Sequence, residues 1–213
     1  MQNMPHIYSI LFDRIVSGEY PAYHRLKEEE LARKFKVSRT PIRLTLRQLA
    51  QDGLVESLPK RGTRVIGFSV DDVEEVYEIR KSLELQALKT SAPYLNIQGL
   101  IDIRTELKTI SRVDDYQAHE AIDARFHNYF IQASGKRRLI AILDQMFRLI
   151  QNFRLFGFKD KAIQASACQA HLALIDALCL RDVSTATNLL ADHIETSKMN
   201  AISYIVKKAG HSR

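Results

Sequence analysis

The stretch Val37-Ser38-Arg39-Thr40-Pro41-Ile42-Arg43 decides the reading of the fold. Ser38 suits an N-cap, Pro41 is tolerated in a first helical turn, and Ile42, Leu46 and Leu49 then recur at helical spacing until Gly53. A helix therefore opens here, with Arg39 and Arg43 four residues apart on one face. Immediately before it, Leu26 to Phe35 reads as a short helix whose acidic residues, Glu28 to Glu30, sit in the first turn, where they suit the helix dipole. Further upstream, Ile7, Ile10, Leu11 and Ile15 mark a helix over Met4–Val16, stopped by Ser17-Gly18. Downstream, Leu54-Val55-Glu56-Ser57 and Thr63-Arg64-Val65-Ile66 are β-prone, and Leu58-Pro59-Lys60-Arg61-Gly62 between them has the composition of a hairpin turn. Three helices and a hairpin predict a winged helix-turn-helix over 1–67.

From Ser69 onward the strand signal disappears. Ser69-Val70-Asp71-Asp72 has the form of a capping box, and apolar residues then run at helical spacing. Punctuation at Pro93, Ser111-Arg112, Ser134-Gly135, Gly157 and Arg181-Asp182 divides the remainder into helices at 70–93, 97–112, 115–134, 137–156, 160–180 and 183–208. Six long helices with short connections predict an antiparallel bundle over 68–213. The expected fold class is mainly α, a winged helix-turn-helix followed by a six-helix bundle.

With 46% hydrophobic residues in 213, the chain can bury cores, which excludes disordered and fibrous classes. Neither a membrane-length apolar run nor a leader pattern is read, so a cytoplasmic protein without a membrane partner is the expectation. Cys168 and Cys179, 11 residues apart on one predicted helix, lie too far apart to bridge, at roughly 16 Å for about 1.5 Å per residue. The net charge of +6 is uneven: residues 1–67 hold 12 Lys/Arg against 7 Asp/Glu, and the rest is nearly balanced. A basic excess of this kind serves either a polyanion-binding module or a solvated basic face.

Order and spacing favour the first. The second helix of a helix-turn-helix pair presents its N-terminal residues to base edges. Here that end carries Ser38, Arg39, Thr40 and Arg43: arginine takes guanine bidentately, and Ser and Thr anchor phosphates. Lys60, Arg61 and Gly62 at the hairpin tip make a basic wing suited to backbone or minor groove.

These segments together, Leu31-Ala32, Val37 to Arg43, Gly53-Leu54-Val55 and Arg61 to Val65, resemble the GntR family of bacterial transcriptional regulators over residues 7–66. The resemblance implies DNA contacts at Ser38, Arg39, Thr40, Arg43 and Gly62. Two positions depart from the family pattern: Lys36 stands in the turn and Ala22 follows Pro21, each where glycine is usual. Lys36 is expected in a left-handed conformation.

In the bundle, Asp123 and His127 are spaced i and i+4, and His171 and His193 lie equidistant from Asp182, 11 residues before and after it. In an antiparallel hairpin those two imidazoles share one height. One carboxylate and three imidazoles suit zinc, nickel or another borderline divalent ion with positions left open; ordinary polar or core histidines are the alternative. The segments Asp123 to His127 with Ser134-Gly135, His171 with Ile175 and Leu178, and Ala191 to Ile194 are similar to the FCD ligand-binding domain of the FadR branch. In that family an Asp-x-x-x-His and two later histidines bind metal; six helices resemble the VanR-like subgroup. Ala170 departs from it, since an acidic residue often precedes the third ligand. His119, one turn before Asp123, is either a rim group or a surface histidine. Arg80 matches an arginine of the family's first bundle helix, and would bind an effector carboxylate or pair with Glu84. Phe147, Phe153, Phe156 and Phe158 read as packing residues.

The resulting expectation is not an enzyme but a homodimeric, ligand-responsive regulator, usually a repressor in this family. Two recognition helices would occupy successive major grooves of a near-palindromic operator, and a metal-anchored small carboxylate would shift their placement. Two other readings stand beside it, a metal-dependent hydrolase and a DNA-binding protein whose bundle only dimerises.

Overall fold

Ile7, Leu11 and Ile15 share one face of helix α1 (Met4–Val16) and are buried with Ile42, Leu46 and Leu49 of α3 (Arg39–Gln51). Between them α2 (Glu28–Phe35) adds Leu31, Ala32 and Phe35 to the same core. The turn into α3 is tight because Lys36 takes φ 55°, ψ 44° and Val37 N–H donates to Ala32 O at 3.0 Å. A lysine thus occupies the left-handed position read for it, at the cost a Cβ brings there. Ser38 is the N-cap residue of α3, yet its side chain makes no capping hydrogen bond, contrary to the role read for it.

Strands β2 (Val55–Leu58) and β3 (Gly62–Val65) pair antiparallel, with Val55 opposite Val65 and Leu58 opposite Gly62. A third strand, β1 (Arg25–Leu26), pairs with the other edge of β3, giving the order β1-β3-β2. This corrects the helix start: Leu26 is in a strand, and the chain turns helical only at Glu28 after the extended Lys27. A two-residue strand carries no periodicity to read.

The computed structural model describes residues 4–16, 18–58, 62–66, 69–111, 115–157 and 160–210. The chain divides at Ser69 and Val70 into two compact units. Among the described residues the second unit is all helical: α4 (Val70–Ser91) with a 3-10 turn Ala92–Tyr94, α5 (Ile97–Ile110), α6 (Tyr116–Ala133), α7 (Arg137–Gly157), α8 (Lys161–Cys179) and α9 (Val183–Gly210). Side chains cap α5, α6, α8 and α9: Asn96 accepts from Gln98 N at 2.8 Å, Asp115 from Gln117 N at 2.9 Å, Asp160 from Ala162 N at 2.8 Å and Asp182 from Thr185 N at 3.0 Å. α4 packs against α6, α7 and α9, and α8 against α5 and α9. Helix α8 is long and apolar enough to pass for a membrane span by composition, but it is a bundle helix that buries Gln164 and His171 between its neighbours.

The α8–α9 turn is fixed from outside. Arg181, at φ 59°, donates to Ala92 O at 2.6 Å and Leu95 O at 2.8 Å, tying this turn to the α4–α5 connection. Gly99 in α5 admits Tyr129, whose hydroxyl donates to Asn96 O at 2.8 Å; a Cβ on residue 99 would overlap the phenol.

Candidate metal centre and nucleic-acid interface

Helical spacing places Arg39, Thr40, Arg43, Leu44 and Arg47 at the exposed side of α3, while Ile42, Thr45, Leu46 and Leu49 are buried. Both expected base-reading arginines are paired with carboxylates of α2. Arg39 Nη2 donates to Glu29 Oε1 at 2.6 Å; Arg43 donates to Glu28 from Nε at 3.1 Å and from Nη2 at 3.0 Å. The hydrogen bond from Arg43 holds the Glu28 carboxyl below the usual range. Arg47, one turn beyond Arg43, was missed in the sequence reading, although its i+4 spacing from Arg43 was the available signal. Gly62 sits at φ +81° with open space where a Cβ would stand, leaving room for close backbone approach. Lys60 and Arg61 lie outside the described residues. Arg64 pairs with Glu56 across the hairpin at 2.6 Å, so its charge is partly spent within the wing.

In the second unit, Asp123 and His127 come from α6, His171 from α8 and His193 from α9, and all four are buried. One potential ligand atom of each lies within 4.8 Å of the others. His171 Nε2 is 3.1 Å from His193 Nε2 and 3.4 Å from Asp123 Oδ1. Two donors each about 2.1 Å from one ion and roughly 90–109° apart would be separated by about 3.0–3.4 Å, so these contacts have the spacing of atoms sharing an ion. The equal heights expected of His171 and His193 about the α8–α9 turn are thus present.

Glu84 of α4 organises the other side. His127 Nδ1–H donates to Glu84 Oε2 at 2.6 Å, and Arg80 Nε donates to Glu84 Oε1 at 2.5 Å, with all three side chains buried. Burial pushes the Glu84 carboxyl up, but the Arg80 guanidinium and His127 outweigh it and hold it at about 2. Ionised Glu84 only accepts, so it fixes the proton on Nδ1 of His127 and leaves Nε2 as the ring's acceptor nitrogen. Burial, only partly opposed by Glu84, lowers the His127 pKa and keeps the ring neutral, as a ligand must be. Arg80 therefore does pair with Glu84, but in the interior rather than at the surface. Its Nη2 lies 3.5 Å from His127 Nε2, and its Nη1 is buried with no hydrogen-bond partner among the described residues.

A cavity of about 160 Å³ opens beside this site, and its lining includes Tyr77, Asp123 and His193 together with the polar Ser166, Ser197 and Asn200. Ala170 also lines it, and Arg80 does not. His119 is buried, which corrects the surface alternative, and it stands outside the four-residue cluster. Phe147 is more than packing: its ring lies 6.3 Å from the His127 ring, and the Arg80 guanidinium stands over it at 5.6 Å. The side chains of Phe153, Phe156 and Phe158 lie outside the described residues.

The sequence matches two family models, that of the bacterial regulatory proteins of the gntR family over residues 4–65 and that of the FCD domain over residues 75–196. The chain belongs to the GntR family. Among curated relatives of this GntR protein, the uncharacterized HTH-type transcriptional regulator BphR of Paraburkholderia xenovorans is 26% identical, covering 86% of this chain and 78% of its own. A probable D-xylose utilization operon transcriptional repressor of Paenarthrobacter nicotinovorans is 25% identical, over 84% of this chain and 80% of its own. The Listeria monocytogenes regulator Lar, which controls expression of the agr system, has the same fold at TM-score 0.73 and 20% identity, covering 94% of this chain and 97% of its own. The GntR protein is accordingly a DNA-binding transcriptional regulator and not an enzyme, which disposes of the hydrolase reading. FCD domains commonly bind metal, and the buried Asp and three His occupy the domain that matches that family.

Proposed function

We propose that this GntR regulator is a metal-dependent sensor of a small organic acid that represses transcription as a cytoplasmic homodimer on a near-palindromic operator. The observation that carries the reading is the convergence of Asp123, His127, His171 and His193 with Glu84 behind His127. Three imidazoles and a carboxylate suit zinc or nickel, and would leave coordination positions for a ligand oxygen. When bound, the ion supplies a positive anchor for a carboxylate; the protein supplies the rest. The cavity edged by Ser166, Ser197 and Asn200, which Asp123 and His193 also line, takes a small molecule whose carboxylate reaches the ion. A cavity of this size accommodates something on the order of a benzene ring.

Ser38, Arg39, Thr40 and Arg43 would meet the major groove, and the wing with Lys60, Arg61 and Gly62 the adjacent backbone. Effector binding favours one of two placements of the DNA-binding units, according to its differential affinity for them. The Paenarthrobacter relative's description as a repressor supports the sign of the response.

The test is metal analysis of full-length protein purified without chelator, followed by operator titration with and without candidate carboxylates. About one equivalent of transition metal per chain is expected, lost in His127→Ala together with the carboxylate response. No stoichiometric metal and an unchanged His127→Ala variant would overturn the sensor and leave a bundle that only dimerises.

A further inference from the structure

A carboxylate at a face built to meet a polyanion weakens binding unless it does something there. Glu29 is such a group. It is exposed on the first turn of α2, accepts from Arg39 at 2.6 Å, and contributes nothing to the core formed by Leu31, Ala32 and Phe35. Its side chain is 64% exposed and that of Arg39 59%, so both stand in solvent where DNA would approach. The neighbouring pair differs: Glu28 grips Arg43 with both oxygens and is itself only 34% exposed.

A guanidinium has five N–H donors, and one contact to a carboxylate oxygen leaves the fork needed for guanine O6 and N7. Arg39 can therefore keep Glu29 while reading a base. The phosphate backbone attracts chiefly by charge, and while the pair persists it presents no net charge to it, whereas hydrogen bonds to a neutral base edge depend on the free fork. The contact thus weighs against sequence-independent binding and hardly against base reading.

We propose that Glu29 is a specificity-determining residue, which aims Arg39 at base edges and neutralises it toward phosphate. This rests on the winged-helix docking described above. Glu29 acts through Arg39, and Glu30, paired instead with Lys27 at 2.7 Å, supplies an internal control of equal charge on the same turn.

The experiment uses the full chain, an operator selected from a random duplex library, and a scrambled duplex of the same composition, with affinities measured across a salt series. Glu29→Gln is expected to bind the scrambled duplex about 3–10-fold tighter, with the slope of log K against log salt steeper by about one. Operator affinity should change by less than about twofold, so the specificity ratio falls. Glu30→Gln should preserve the ratio, and Glu29→Gln should have no effect on it in an Arg39→Ala background. An unchanged ratio in Glu29→Gln, an equal fall in Glu30→Gln, or a fall that persists without Arg39 would each overturn the proposal. If Arg39→Ala alone leaves operator binding intact, the docking itself fails, a result distinct from failure of Glu29.

Discussion

Glu84 shows how much one buried carboxylate can decide. It accepts from His127 with one oxygen and from Arg80 with the other, so the ligand's tautomer and the orphaned arginine donor depend on the same group. Glu84→Gln leaves the volume unchanged but offers an amide to one partner that needs an acceptor; metal affinity should fall about 10–100-fold, read by competition with a chromogenic chelator. The same residue has a pH signature. Its folded pKa of about 2 lies below the 4.5 of an ordinary glutamate, so its contribution to stability is complete above 4.5 and is lost as pH falls through 2. Acid unfolding of chelator-treated protein should be steeper in that window than for Glu84→Gln; superimposable curves would show that the carboxylate is not stabilised in the fold. On the DNA side, Arg39→Ala should cost about 1–3 kcal/mol of operator binding and relax base preference, whereas Lys60→Ala should weaken all duplexes alike.

The turn between α8 and α9 sets the relative height of His171 and His193, and Arg181 holds that turn to the carbonyls of Ala92 and Leu95. Arg181→Ala removes two charge-assisted hydrogen bonds while the backbone stays at a left-handed φ, so it should lose about 1–3 kcal/mol in urea denaturation and weaken metal binding although it touches no ligand. Wild-type metal affinity in this variant would mean the helices hold the two imidazoles without the staple. Elements of this length were legible because helical periodicity runs over many residues and is punctuated by Pro93, Gly135 and Asp182. Strand β1 was not, since two residues have no period and Lys27 opens α2 without a side-chain cap. The i, i+4 spacing and the equal distances about a turn made the four candidate ligands plausible, and the resemblance to the FCD domain gave them most of their weight. The roles of Glu84 and Phe147 were not, because contacts between α4, α6 and α7 depend on which way each helix is rotated, and local spacing does not fix that.

At the scale of the molecule, the two units have separate apolar cores, one built on Ile7, Leu11, Ile42 and Leu49, the other around Leu88, Phe126, Phe130 and Leu174. A ligand that binds only the folded bundle stabilises it by mass action, by about 2.7 kcal/mol at a hundredfold excess over Kd. The candidate ligands come from α6, α8 and α9, with α4 behind them, so the ion would join helices that are distant in sequence. Removing it should expose a cost confined to the second unit. Calorimetry of the full chain should therefore show one transition that drops on adding EDTA and recovers with zinc or nickel, beside another that does not move. His193→Ala should place the first transition at its EDTA position with or without metal. If chelation left every transition in place, the four side chains would be a buried polar cluster held by hydrogen bonds alone, and effector sensing would have to be sought in the cavity lined by Tyr77, Ser166 and Asn200 without a metal anchor.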